Sequence, residues 1–452
     1  RGLGDVYKRQ LLLLSAATHL PGLAYPESVV FDEVHFGSFA TAYCCNHEYF
    51  FDPHPPHAKL LIAGVAHTLG YRGGLAFDNI GLAYGSVSPV PLRLAPALAG
   101  SLLPLIICLV LRQLGASRAA ALFGGLLLVF DNALTIHTRV ISLDGILLAA
   151  IFGALGLYLA AERAQSAGWR LLWSFLAGCA AGLAVGTKFT GLVIVGLIGL
   201  CVLLQLWPRQ DRPGFMHTLQ QAAGLLAGAV LVYVIGWLLH FSLLTEPGPG
   251  DIWGVPTGNL AADIVKIHGQ MHSAHANLPD PHPYGSPWWS WPLMQRPIFF
   301  WNSATSEAKM YSIGNPVVWW GGALFTLVVL VNLVLSRVTY PRVQPDPPRE
   351  RPRFWLLIVG FVASYAPLAD VSRVLFMYHY FTPLIFSLML VVLWLDYAGW
   401  IHRSGLHQQR ASYYLVIAVL VLCFLLITPL TYGLEQGTGI ADWIFSVFPG
   451  WR

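Results

Sequence analysis

Val30-Phe31-Asp32-Glu33-Val34-His35-Phe36-Gly37 sets two adjacent carboxylates directly after the first apolar run of the chain, which opens at Leu11-Leu12-Leu13-Leu14. Acids at the edge of a hydrophobic segment need a reason, because a charge beside hydrocarbon is costly unless it is paired or put to use. Neighbouring side chains point different ways on a helix or a strand, so separate roles are more natural than a shared proton. Two readings stand level. A carboxylate at an interface can take a proton from a hydroxyl, and partial desolvation raises its pKa toward the working pH. Equally, Asp32 can cap a short helix starting near Val34 by accepting backbone N–H bonds.

Outward from this stretch the chain is overwhelmingly apolar. Of 452 residues, 56% are hydrophobic and 11% charged, with a mean hydropathy of +0.60, a mixture that a soluble domain does not solvate. We therefore expect an all-α polytopic membrane protein. Apolar runs near 11–24, 90–111, 119–136, 140–161, 170–187, 189–207, 220–241, 316–336, 354–370, 374–395 and 412–432 approach the roughly 20 residues that cross a bilayer, giving about eleven helices. The gaps at Arg139, Lys188 and Ser372 also fit breaks within re-entrant helices. Residues 1–10 read as a non-native polar leader. Residues 11–241 then form a seven-helix catalytic module, 242–315 a long loop and 316–452 a four-helix region.

Positive charge orients the helices. With the segment after the first helix outside, Arg112, Arg118, Arg163, Arg170, Arg209, Arg212, the Arg342–Arg353 linker, Arg403 and Arg410 all fall in inside connections, as the positive-inside rule requires. Two long loops, 25–88 and 242–315, then face the extracytoplasmic side. The proline-rich basic linker reads as a solvated segment held against anionic headgroups. The net charge of +4 says little by itself, and no nucleic acid is expected as a partner. Membrane lipids are. Cys108, Cys179, Cys201 and Cys423 lie in apolar runs; Cys44 and Cys45 share a polar loop, and since adjacent cysteines rarely bridge each other we read them as structural or incidental.

Other residues carry chemistry. In His54-Pro55-Pro56-His57-Ala58-Lys59 the prolines fix an extended turn and let a helix begin after it, aiming Lys59 back at the loop. His35, His47, His54 and His57 fit no standard zinc spacing, and no metal or other cofactor is expected. Arg93, Arg139, Asp144, Lys188, Asp370 and Arg373 fall at or within apolar spans, where each charge costs about 2.5–3.5 kcal/mol at a helix centre. All lie near the outer helix ends, and cations gathered there suit a phosphate leaving group. His268, His272, His275, His282-Pro283-Tyr284, Pro287-Trp288-Trp289-Ser290-Trp291-Pro292 and Arg296 make the late loop aromatic and histidine-rich. That suits an interfacial belt, an acceptor groove or a lid.

With these residues in order, the chain resembles the protein O-mannosyltransferase family. The series runs through Phe31-Asp32-Glu33-Val34-His35-Phe36-Gly37, His54-Pro55-Pro56-His57-Ala58-Lys59, Arg93-Leu94, Asp131-Asn132-Ala133 and Arg139-Val140-Ile141-Ser142-Leu143-Asp144. It continues through Lys188, His240-Phe241, Gly250-Asp251, Trp288-Trp289-Ser290-Trp291-Pro292, Gly314-Asn315-Pro316-Val317-Val318-Trp319-Trp320 and Tyr378-His379-Tyr380. The resemblance implies a GT-C fold and inverting transfer of mannose from polyprenyl phosphate mannose to Ser or Thr hydroxyls of secreted proteins. It implies Asp32 as base, Glu33 as the residue that positions the acceptor, and Arg93 on the departing phosphate. Lys59, Arg139, Arg373, His379, Tyr378 and His54 are the further substrate-binding candidates. Eukaryotic members insert a MIR domain for which 242–315 is too short, so a bacterial type in the cell membrane is implied, working beside the secretion translocon with its site on the extracytoplasmic face. His57 departs from the apolar residue usual at its position. The competing readings are a related transferase with a lipid acceptor such as lipid A, and a lipid or solute transporter.

Overall fold

The computed structural model of the chain describes residues 3–206, 214–276, 282–339, 353–371, 373–401, 407–435 and 439–451. Arg209, Arg212, Ser372, Arg403 and all but the last residue of the basic linker lie outside the described residues.

Helix α1 (Leu3–His19) runs through both the expected leader and the first apolar run and ends earlier than anticipated. The first long loop then holds α2 (Glu33–Thr41), one wide helical turn (Ala42–Asn46) and α3 (His57–Thr68). Both loop helices start where the Asp-Glu pair and the proline turn imply. Next come α4 (Val90–Gln113), α5 (Arg118–Val129), α6 (Asn132–Arg139), α7 (Asp144–Glu162), α8 (Ala167–Val185), α9 (Leu192–Leu206) and α10 (Phe215–Leu243). The late loop contains α11 (Leu260–Ala276) and a small antiparallel hairpin, β1 (Ile298–Asn302) with β2 (Lys309–Ser312), in which Ile298 pairs with Ser312 and Asn302 with Lys309. Helices α12 (Gly322–Thr339), α13 (Phe354–Tyr365), α14 (Phe381–Tyr397), α15 (His407–Tyr432) and α16 (Ile440–Val447) complete the chain.

Among the described residues, eight helices are long and apolar enough to cross a membrane, or nine if a bent pair counts as one. The pair is α5 and α6, meeting at 61° where a single span over 119–136 was expected. Asp131 causes the break. Its carboxylate accepts from Leu134 N at 2.8 Å, from Asn315 N at 3.0 Å and from the Trp319 indole at 2.9 Å, so it caps α6 and ties the break to the start of the four-helix region. The remaining two expected spans correspond to α1 and to a shorter apolar helix over Phe354–Asp370.

Helices α8 and α10 pack at backbone contact through glycine. A methyl group on Gly178 would lie 2.1 Å from Leu225 O, and one on Gly228 2.1 Å from Phe175 O. Gly178→Ala should therefore force the helices apart and cost about 1–3 kcal/mol, read as an earlier thermal transition of the detergent-solubilised protein.

The bundle has two distinct ends. At one, Ser117 donates from N and Oγ to Asp396 at 2.6 and 2.7 Å, Arg163 reaches Gln113 O, and Arg353 pairs with Glu162. At the other lie both long loops. Cys44 and Cys45, expected to stay apart, form a disulfide there within the wide turn after α2.

Candidate active site

The Asp-Glu pair divides as its spacing implies, into two carboxylates with different surroundings. Phe31 adopts φ 43°, an uncommon value for a residue with a side chain. Its N–H donates to Phe300 O at 3.1 Å and its ring stacks on Phe300 at 4.2 Å, so the hairpin holds the turn in this conformation. The turn sends Glu33 inward and leaves Asp32 on the other side.

Glu33 is fully buried. Its carboxylate accepts from Arg93 Nε at 2.7 Å and Nη2 at 2.8 Å, Val30 N at 3.0 Å, Tyr84 OH at 3.1 Å and Ile141 N at 3.1 Å. No lone pair is left for an acceptor hydroxyl. Arg93 is equally committed: besides Glu33, Nη1 donates to Leu23 O and Pro26 O, both at 3.0 Å, and Nη2 to Ser28 O at 3.1 Å. All five guanidinium N–H groups are thereby used. Glu33, expected to position the acceptor, and Arg93, expected on the phosphate, are here paired with each other: together they clamp the start of the first loop onto α4.

Two further candidates also serve the scaffold. Arg139 Nη1 donates to His19 O at 2.7 Å and Thr18 O at 3.3 Å, and its guanidinium lies 4.6 Å from the Tyr432 ring centre. It satisfies carbonyls at the end of α1, where a cation also meets the negative end of the helix dipole. Lys59 does point back into its loop, but it pairs with Asp52 and donates to His54 O at 2.7 Å. Burial makes this pairing obligatory, since Lys59 is 2% exposed. His57, two residues earlier, wedges between Gly186 and Gly236, where any added methyl would lie within 2.3 Å of its ring, and meets Val232 O at 3.0 Å.

Asp32 is different. It occupies the position before α2 with no side-chain hydrogen bond to that helix, which removes the capping reading. Half-buried, its carboxyl is pushed up to about 7, chiefly by loss of solvent and secondarily by the charges of Asp144 and Asp52, with Lys188 pulling the other way.

Lys188 and Asp144 belong to a cavity of about 90 Å³, room for several waters at the roughly 10–15 Å³ each requires. Lys188 Nζ donates to Asp144 Oδ1 at 2.7 Å and sits 5.2 Å from the Tyr378 ring centre. Tyr378, His379, Arg373 and His54, four of the substrate-binding candidates, line the same cavity. Tyr378 stacks on His379 at 4.6 Å and meets Phe31 edge-on at 6.3 Å, linking the cavity wall to the turn that carries Asp32. Among the described residues Arg373 has no hydrogen-bond or ion-pair partner. It also borders a second cleft of about 410 Å³ between the late loop and the segment before α14. Lys188 was visible in the sequence among the cations suited to a phosphate, and Asp144 as an acid of the same group without an assigned role. His275, delivered by α11, carried no signal beyond a histidine-rich loop.

The whole chain superposes on a chain of the Saccharomyces cerevisiae protein O-mannosyltransferase Pmt1-Pmt2 complex, solved bound to the sugar donor. The TM-score is 0.91 at 19% identity, over 99% of this chain and 92% of that one. ArnT from Cupriavidus metallidurans bound to undecaprenyl phosphate gives a TM-score of 0.55 at 16% identity, over 98% and 69%. Helical bundle and paired loops thus define a multi-pass membrane protein of the GT-C fold. Residues 10–245 match the family described as dolichyl-phosphate-mannose-protein mannosyltransferase, and residues 260–443 the C-terminal four TMM region of protein-O-mannosyltransferase. The chain belongs to the protein O-mannosyltransferase family. Its relatives include dolichyl-phosphate-mannose–protein mannosyltransferase 4 of Schizosaccharomyces pombe, 37% identical over 53% of this chain and 32% of that protein. Protein O-mannosyl-transferase 2 of Danio rerio is 32% identical over 61% and 37%. The chain spans about a third of the length of the curated relatives it matches.

Proposed function

We propose that this protein transfers mannose, with inversion, from polyprenyl phosphate mannose to Ser or Thr hydroxyls of secreted proteins. The observation that carries the reading is Asp32: a carboxylate with no side-chain hydrogen bond among the described residues, raised to about 7, under the charges of Lys188 and Asp144, which line a cavity with Arg373. Asp32 accepts the hydroxyl proton as that oxygen bonds to the anomeric carbon. The bond from that carbon to the phosphate oxygen breaks with its electron pair, and Lys188 and Arg373 stabilise the charge left on the phosphate. A β-linked lipid sugar becomes an α-mannoside in one step.

The site faces the extracytoplasmic side on this reading. Arg112, Arg118, Arg163 and Arg353 gather at the opposite end of the bundle, in keeping with the positive-inside rule. The Cys44–Cys45 disulfide on the loop side suits an oxidising compartment. Proteins emerging from the translocon would be the acceptors.

Membranes containing the protein, incubated with radiolabelled polyprenyl phosphate mannose and a Ser/Thr-rich peptide, should label the peptide; label appearing in lipid would favour a lipid acceptor instead. Arg373→Ala should weaken binding of bare polyprenyl phosphate by about 10- to 100-fold, the worth of a charge-assisted hydrogen bond, while the thermal transition of the protein stays in place.

A further inference from the structure

The cavity has a second chemical character that phosphate binding does not use. With its two cations the cavity is lined by two imidazoles brought from different loops, His54 from the first and His275 from α11 in the late loop, with ring centres 5.7 Å apart. His54 is fixed through its backbone: its N–H donates to Asp52 Oδ1 at 3.2 Å and its carbonyl accepts from Lys59 at 2.7 Å. Neither nitrogen of its ring has a partner among the described residues. His275 Nε2 lies 3.1 Å from Pro53 O. A carbonyl only accepts, so Nε2 carries the proton and Nδ1 is left as an acceptor.

We propose that His54 and His275 read the hydroxyl groups of the transferred sugar and so set which hexose the enzyme accepts. The inference rests on the glycosyl-transfer reading above and adds to it the residues that select the sugar. A hydroxyl both donates and accepts. Lys188 and Arg373 only donate and match a phosphate; a neutral imidazole offers one donor and one acceptor at fixed positions. Burial, reinforced for His54 by Lys188, Lys59 and Arg373 and for His275 mainly by Arg373, holds both rings below the usual histidine range and thus neutral. The stacked Tyr378 and His379 rings add an aromatic wall against which the C–H face of a sugar can lie. Asp52 connects the two functions: two residues before His54, it is also among the charges that act on Asp32. The residue that would accept the proton and the residue that would hold the sugar therefore share one loop.

The test uses the full chain in membranes with polyprenyl phosphate mannose, polyprenyl phosphate glucose and bare polyprenyl phosphate. Mannose and glucose differ only in the configuration of one hydroxyl, so the wild type should prefer the mannosyl donor. His54→Phe keeps an aromatic ring without polar atoms, and His275→Gln keeps a donor for Pro53 O. Each should lower kcat/KM for the mannosyl donor by about tenfold, the worth of one neutral hydrogen bond. Each should also narrow the preference over glucose, with affinity for bare polyprenyl phosphate unchanged. Variants that keep the wild-type preference overturn the assignment, as do variants that lose bare polyprenyl phosphate in parallel, because that is the outcome of a purely structural role. A wild type that transfers no mannose overturns the proposed function itself, and the sugar assignment with it.

Discussion

Asp32→Asn should abolish transfer, lowering the rate by at least the roughly 10²–10⁴-fold attributed to a positioned general base, while the protein should keep its fold and its affinity for polyprenyl phosphate mannose. The fold survives because the Asp32 side chain caps nothing, and asparagine has the same shape. Single-turnover transfer to a peptide, alongside equilibrium donor binding, checks both halves of the result; full activity in the variant would sink the assignment. The pH dependence carries a sign. A base works ionised, and the Asp32 carboxyl is raised to about 7, so the wild-type rate should climb through pH 7 and level off above it. Lys188 is the neighbour that draws this value down. Lys188→Ala should therefore move the midpoint of the profile upward as well as weaken phosphate binding, whereas Arg373→Ala should weaken binding with the midpoint unmoved.

Arg93→Met has the largest expected effect on stability. It strands the Glu33 carboxylate, 0% exposed, without its bidentate partner and leaves the carbonyls of Leu23, Pro26 and Ser28 short of a donor. Breaking a buried pair from one side costs about 3–5 kcal/mol, enough to lower the yield of folded protein and the temperature of its unfolding in detergent. Arg93→Lys retains the charge but not the fork, and should recover only part of the loss. If Arg93 instead held the donor phosphate, Arg93→Met would unfold at the wild-type temperature and differ only in donor KM, so the two measurements separate the roles.

The architecture was largely legible along the chain. Apolar runs of spanning length announce helices whatever their partners, because a bilayer leaves the backbone no other way to satisfy its polar groups locally. The two loop helices were equally readable, one from the acidic pair and one from the proline turn before His57. The break at Asp131 was not, since a cap of this kind needs Asn315 and Trp319, well over a hundred residues away, to complete it. Nor was the Cys44–Cys45 bridge, which depends on a wide turn that residue spacing does not encode.

The site divides along the same line. By itself the sequence determined that charges stand at helix ends, because burying an ion is costly enough to mark each one as it is read. Which of those charges face a cavity was decided only by the tertiary structure. Arg93, Arg139 and Lys59 looked like phosphate ligands and are consumed by Glu33, by the end of α1 and by Asp52, while Arg373 and Lys188 face a cavity. A side chain advertises its donors in the sequence, but whether they are already spent depends on acceptors that fold beside it from distant segments. Asp32 and Glu33 make the point within one peptide bond: the same chemistry twice over, and a turn held by Phe31 and Phe300 that seals one carboxylate in the scaffold and leaves the other half-buried, with no side-chain hydrogen bond among the described residues.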